Sequence, residues 1–364
     1  MKKFLLVLAI VAGVVAVHYL IIKMVLPKKS KPSAESNFTE NQDNKNKTGS
    51  SAKTPDKVVG MPEGQITKKP NLLARPAPYS YQNAVNGDIK EIPTSKSATT
   101  GILVDLDTRK VLWAKNPRKG VPIASMTKMM TALLVFEDIE NGTEFNLDTP
   151  IKVTPTTSKI GGSQVYLDPK ETFSLGELLK TVMIVSANDS AHLVAETIGG
   201  GNIHSFVAKM NKRADELMLA NTRFSNPTGL PADTAANDNI SSPEGLVIVA
   251  EMLLRYPKAV EWASTWQDTF RKDSPKPFTL TNHNKLVKSC PGVNGMKTGF
   301  INRSGYCVTV TCVRGNRRLA VAVTGFPSSK DRNNFVVKLL DWGYARLAST
   351  KYAGGPLDDQ TIPK

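Results

Sequence analysis

The chain has 364 residues, 40% of them apolar, which is enough for one large domain or two ordinary ones around a sizeable core. Its formal charge of +15 points to an anionic partner. With no C2H2 spacing and no interleaved basic-aromatic stripe, an anionic lipid or polymer surface fits that charge better than nucleic acid.

The first element is hydrophobic. Lys2 and Lys3 precede an apolar run from Phe4 to Ile22, interrupted only by His18. At helical rise that run is about 28 Å long, close to the hydrocarbon core of a bilayer. Residues 1–26 are therefore predicted to be an export signal retained as a membrane anchor. A competing cleavage site lies at Val14-Val15-Ala16. Lys23, Lys28, Lys29 and Lys31 follow the run and oppose a simple positive-inside count.

Residues 27–96 are rich in Lys, Asn, Ser, Thr, Pro and Gln, with few clustered apolar positions. Such a stretch buries too little surface to offset its ordering entropy, so it is predicted to be a disordered linker. It contains a K-T-G at Lys47-Thr48-Gly49 and an S-x-x-K from Ser50 to Lys53. A segment without walls offers no burial to tune Lys53, so these two matches are chance.

Residues 97–349 are predicted to form the folded domain, with a frayed tail over 350–364. Ile102, Val104, Leu106, Val111 and Trp113 alternate as two strands about a turn. A helix follows through "VPIASMTKMMTALLVFEDIENG", with Asn141-Gly142 as its stop. Ser174 and Glu177 have capping-box spacing ahead of a helix that is apolar nearly all round. Tyr306–Phe326 reads as a strong hairpin. A final amphipathic helix turns Val336, Leu339, Leu340 and Leu347 inward. Strands at both ends with helices between predict an α+β domain: a mixed antiparallel sheet with a helical insertion. Cys307 and Cys312, five apart on one strand, face opposite ways and cannot pair with each other, whereas Cys290 has the reach for either; buried free thiols are expected. Neither the cysteines nor His18, His192, His204 and His283 show metal-ligand spacing, so no metal and no cofactor is expected.

Three short motifs lie inside this domain at predicted element junctions. They are Ser125-Met126-Thr127-Lys128, Ser186-Ala187-Asn188 and Lys297-Thr298-Gly299. On a helix, positions i and i+3 share a face, so Ser125 and Lys128 come within hydrogen-bond reach. A serine hydroxyl needs a base to become a nucleophile, and a lysine serves as that base only when its ammonium is destabilised. Burial does this, as does a second cation such as Lys297. The N–H of Ser125, at a helix N-terminus, supplies one oxyanion donor, and the N–H of Phe300 on a facing strand supplies the other. Ser186 is placed to relay a proton to a leaving amine, and Asn188 to hold Lys128 and a substrate amide.

With these motifs, and with "ASMTKMMTA", "SANDSAHLVAE", "FSNPTGLPA", "NHNKL", "GMKTGF" and "LLDWGY", the chain from Ser97 to Leu347 resembles the low-molecular-weight penicillin-binding proteins, the serine D-alanyl-D-alanine carboxypeptidases. The order S-x-x-K, S-x-N, K-T-G is the signature shared by penicillin-binding proteins and β-lactamases. The resemblance implies a five-stranded antiparallel sheet flanked by helices, with the site between the sheet and a helical subdomain. It implies acylation of Ser125 by peptidoglycan stem peptides ending in D-Ala-D-Ala, inhibition by β-lactams, and work on the extracytoplasmic face of a bacterial membrane. Carried over, Ser125 is the nucleophile and Lys128 the base, with Ser186 and Asn188 as the second motif. Lys297 anchors charge, while Thr298, Gly299, Phe300 and Arg332 contact substrate. Asn294 stands where an aspartate is usual, "INRSGYC" is looser than the usual segment after K-T-G, and no β-rich C-terminal domain is expected.

Three rival readings remain. A class A β-lactamase would carry a deacylating glutamate between Met218 and Pro243, where this chain has only Asp233 and Asp238 as acidic residues. A D,D-endopeptidase on crosslinks would use the same residues. A non-catalytic, membrane-tethered wall-binding protein would have no need of the full set of catalytic residues.

Overall fold

In the computed structural model, residues 73–349 are described. The anchor, most of the linker with its two chance motifs, and the tail lie outside them. Among the described residues no helix is long and apolar enough to cross a membrane.

The chain opens with strand β1 (Val85–Asn86) and a 3-10 turn (Pro93–Ser97). A pair of strands follows, β2 (Thr100–Asp105) and β3 (Lys110–Lys115). After β4 (Val121–Pro122), a second 3-10 turn (Ala124–Thr127) runs into helix α1 (Lys128–Glu140). The helical region continues with the small hairpin β5 (Pro150–Lys152) and β6 (Thr172–Ser174), then α2 (Leu175–Ile184), α3 (Asn188–Ile198) and α4 (Ile203–Glu216). Strand β7 (Ile240–Ser241) pairs with β4 and leads into α5 (Pro243–Leu253) and α6 (Pro257–Ser264). A second hairpin, β8 (Gln267–Phe270) and β9 (Phe278–Thr281), precedes the short α7 (Leu286–Ser289). The domain closes with β10 (Val293–Ile301), β11 (Gly305–Arg314), β12 (Arg317–Phe326) and α8 (Ser329–Ser349).

The main sheet runs β1-β3-β2-β12-β11-β10. Its last five strands are antiparallel, as expected, and the two-residue β1 adds a sixth, parallel to β3. Strands from the two ends of the domain meet at its centre, with Leu319 opposite Asp105 and Thr324 opposite Thr100. That pairing closes a loop of more than two hundred residues and places the helical region as an insertion. Strand alternation sends Ile102, Val104, Cys307 and Ala322 into a core under the helices, and Leu103, Trp113, Cys312 and Val321 into a second core under α8. β2 is therefore buried at every position. All three cysteines are buried thiols, and Cys307 and Cys312 lie on opposite faces as the spacing requires.

The capping box forms: Ser174 Oγ accepts from the Glu177 N–H and the Glu177 carboxylate accepts from the Ser174 N–H. Three expectations need correction. The linker ends well before residue 96. Arg75 Nε donates to the Leu217 carbonyl at 2.7 Å, and Tyr79 Oη donates to Glu251 at 2.6 Å. Ile89 and Ile92 are buried against the sheet, and Trp113 Nε1 donates to the Gly87 carbonyl at 2.7 Å. The helix expected over 121–142 is divided into a strand, a 3-10 turn and α1. The K-T-G, expected at an element junction, lies within β10.

Candidate active site

Ser125 lies in the 3-10 turn and Lys128 is the first residue of α1, so the S-x-x-K spans the junction between the two. The turn is entered through Ala124 at φ +47°, a left-handed conformation that costs an alanine about 1–2 kcal/mol. Its neighbours hold it from two sides. A Cβ on Gly229 would fall 1.9 Å from the Ala124 carbonyl oxygen, and one on Gly299 would fall 2.6 Å from that of Ile123. Only glycine allows either backbone so close.

Lys128 is fully buried. Its Nζ lies 3.1 Å from Ser125 Oγ, 2.6 Å from Asn188 Oδ1 and 2.6 Å from the Thr228 carbonyl oxygen. It makes no salt bridge among the described residues. Burial, and then the charge of Lys297, hold its pKa well below the usual lysine range, against a smaller pull from Asp189. The Asp189 carboxylate is already engaged by the N–H groups of Val165, Leu167 and Ser190.

The second motif occupies the corner between α2 and α3. Ser186 adopts φ +64°, and its buried hydroxyl finds no hydrogen-bond partner among the described residues. Asn188 opens α3. Its Nδ2 donates to the Gly161 carbonyl at 2.8 Å and its backbone N–H to that of Ser163 at 2.7 Å, which turns Oδ1 toward Lys128.

The third motif lies on β10, the outermost strand of the sheet. Lys297 is buried, and its Nζ donates to the Thr298 carbonyl at 3.3 Å. Burial, then the Arg332 guanidinium, push its pKa down to about 7. Arg332, in the first turns of α8, is also buried, and its Nη1 donates to the Cys307 carbonyl at 3.0 Å. Burial lowers its pKa to about 10.

These pieces converge on a cleft of about 280 Å³, into which Ser125, Ser186, Thr298, Gly299, Phe300 and Arg332 all look. Lys128 and Lys297 lie just beneath its lining. Sequence reasoning assigned no role to four other lining residues, Ser163, His283, Tyr306 and Ser329. More than a third of His283 is exposed at the cleft mouth, yet the packing on its inner side, then Lys297 and Lys128, bring its pKa down to about 4. It is a neutral imidazole at neutral pH. Sequence reasoning also missed the Thr228 carbonyl. Asn226 Oδ1 builds that turn by accepting from the Thr228 and Gly229 N–H groups, and the signal for it was the Asn-Pro-Thr-Gly of "FSNPTGLPA".

Residues 88–328 match the family model of D-alanyl-D-alanine carboxypeptidases. The chain is 38% identical over 269 residues to D-alanyl-D-alanine carboxypeptidase DacF of Bacillus subtilis, covering 73% of this chain and 66% of that protein. It is 32% identical over 279 residues to the carboxypeptidase DacA of Haemophilus influenzae, covering 74% and 68%. The chain thus spans about two thirds of the length of these curated relatives. The fold is similar to that of penicillin-binding protein D2 of Listeria monocytogenes in its ampicillin-bound form, with a TM-score of 0.60 at 27% identity over 68% of this chain and 97% of that one. With Ser125, Lys128, Ser186, Asn188 and Lys297 all inside the matched span, the chain belongs to the D-alanyl-D-alanine carboxypeptidase family.

Proposed function

We propose that this protein removes the terminal D-Ala from peptidoglycan stem peptides through an acyl-enzyme on Ser125. The observation that carries this reading is the setting of Lys128. A neutral lysine amine has two N–H donors and one lone pair. Asn188 Oδ1 and the Thr228 carbonyl take the donors, which leaves the lone pair for the hydroxyl of Ser125 at 3.1 Å. Burial, then the charge of Lys297, lower the pKa of that amine well below the usual lysine range and so favour its uncharged form.

The steps follow from these positions. The substrate's terminal carboxylate is drawn to Lys297, Thr298 and Arg332. Ser125 Oγ attacks the penultimate carbonyl carbon while Lys128 takes the hydroxyl proton. The N–H groups of Ser125 and Phe300 receive the oxyanion. The C–N bond breaks, and the departing D-Ala amine gains a proton through Ser186. Water then attacks the ester, Lys128 takes its proton, and Ser125 is released. β-Lactams acylate the same hydroxyl and, with deacylation slow, act as inhibitors. The loop that would hold a lactamase glutamate offers Asp238 instead, and both oxygens of that carboxylate accept from Arg303, at 2.5 and 2.7 Å.

The segment Phe4–Ile22 anchors the catalytic domain at the extracytoplasmic face of the membrane, where this substrate is found. The test is digestion of purified muropeptides by the full chain, read by mass spectrometry. Loss of one terminal alanine is expected. Splitting of crosslinked dimers without such loss would replace this reading with an endopeptidase, and fluorescent penicillin labelling that persists in Ser125→Ala would reject the nucleophile.

A further inference from the structure

Asp189 directly follows the asparagine that holds Lys128. It is buried and makes no salt bridge among the described residues. Backbone N–H groups meet its carboxylate instead: Val165 at 3.1 Å, Leu167 at 3.2 Å and Ser190 at 2.9 Å. Burial raises the pKa of this carboxyl, and the N–H donors oppose that rise by favouring the charged form.

Val165 and Leu167 belong to the loop that lines the cleft at Ser163. Arg271, just past β8, grips the same loop. It donates to the Val165 carbonyl at 2.7 Å and the Tyr166 carbonyl at 2.9 Å, and is itself held by Glu171. Between the two grips Tyr166 adopts φ +57°, a conformation rare for a bulky residue and kept only where neighbours enforce it. The loop then acts on Asn188. The Gly161 and Ser163 carbonyls accept from its side-chain and backbone N–H groups, and its Oδ1 accepts from Lys128. A chain of bonds thus runs from Asp189 through the loop and Asn188 to the base.

Asp189 also reaches Lys128 through its charge. Lys297 on β10 lowers the pKa of that amine, whereas Asp189 on α3 raises it. His283, ahead of α7, is neutral at neutral pH, and Arg332 on α8 acts on Lys297. Farther along α3, Glu196 and His192 bond Thr154 and Thr157, α2 presents Thr181 to Ser190, and Lys209 of α4 pairs with Asp138. Among the described residues, Asp189 is therefore the anion that acts on the base, and it is also bonded to the wall.

We propose that Asp189 is a positioning residue for acylation: it fixes the wall that orients Asn188 on Lys128, and its negative charge tempers the push of Lys297 on that lysine. The proposal rests on the acyl-enzyme reading above and adds to it a residue that touches no reacting atom.

The test is the pH dependence of Ser125 acylation by fluorescent penicillin in the full chain. Removing the anion makes Lys128 easier to deprotonate. Asp189→Asn should therefore move the acid limb to lower pH by about one unit, the scale of one neighbouring charge in a partly polar interior. Arg271→Gln loosens the same loop without removing a charge that acts on Lys128. It should slow acylation by about three- to tenfold, as a small misplacement does, and leave the limb in place. A purely structural Asp189 predicts that both variants slow the reaction and neither moves the limb. That result, or an equal shift in both, would overturn the proposal. Should Asp189→Asn not fold, Asp189→Ser removes the same charge without turning an amide N–H toward the loop donors, and is read the same way. If neither folds, Asp189 serves the fold alone and the proposal falls. If the wild type takes no label at any pH, the acyl-enzyme reading itself fails, and this proposal with it.

Discussion

Buried charge is handled in opposite ways at the perimeter of this molecule and in its cleft. At the perimeter, several buried or half-buried ions meet a counter-ion. Arg213 grips Glu137 through two nitrogens at 2.7 and 2.9 Å, Arg271 does the same to Glu171 at 2.6 and 2.7 Å, and Arg318 holds Asp107 at 2.7 Å. These pairs join segments remote in sequence and hold helices, loops and strands together. In the cleft, three buried basic side chains, Lys128, Lys297 and Arg332, are gathered without a carboxylate bonded to any of them. The difference separates two uses of ionic chemistry. A completed pair serves the fold, whereas an uncompleted cluster costs stability and is left for an incoming anion to complete.

The comparison breaks most visibly at Lys128. Lys128→Met should slow acylation of Ser125 by fluorescent penicillin toward the upper end of the about 10²–10⁴-fold range for a lost general base. Its melting temperature should not fall, because an apolar chain of similar length replaces a destabilised amine. At the perimeter the expected signs are reversed. Arg213→Ala leaves Glu137 buried and unpartnered, and should cost about 3–5 kcal/mol in denaturant unfolding with kcat/KM little changed. Lys297→Met should stabilise the fold by about 2–3 kcal/mol at pH 7 while weakening substrate binding. The sign follows from its lowered pKa. From about 7 up to the ordinary lysine value the unfolded chain holds the proton that the folded chain has lost, so wild-type stability rises with pH over that window. The gain from the substitution is therefore full below pH 7 and fades above it. In the wild type, kcat/KM should fall on the alkaline side with a pKa near 7 as Lys297 discharges, and Lys297→Met should lack that limb. The smallest effect belongs to an exposed pair: breaking Lys258–Glu261, at 2.8 Å, with Lys258→Ala should change unfolding free energy by under about 0.5 kcal/mol.

The sheet strands and the chemical motifs were legible because each is local. Alternation marks Ile102 to Trp113 and Tyr306 to Phe326, and the three motifs carry their residue types in order. What stayed hidden depends on the tertiary fold. Residues 73–97 have the composition of a linker, yet Tyr79 and Arg75 are fixed by Glu251 and Leu217, partners no window of sequence contains. The Thr228 carbonyl that helps to orient Lys128 is a backbone atom, and backbone atoms leave no trace in residue identity. The low pKa of His283 comes first from burial and then from Lys297 and Lys128, all of which only the folded chain supplies. The 3-10 turn at Ser125 follows from the pressure of Gly229 and Gly299 on either side, and local propensity alone reads it as helix.

The segment that was expected to be slack has a mechanical meaning. Tension arriving along the chain from the N-terminal side is taken up by the Leu73 and Ala74 carbonyls, which accept from Arg213 and Arg255, and by Arg75 and Tyr79, and passes into the end of α4 at Leu217 and into α5 at Glu251. None of these residues lines the cleft. A domain tugged by a moving surface would absorb the strain on its far flank, and the geometry around the reactive hydroxyl would be spared.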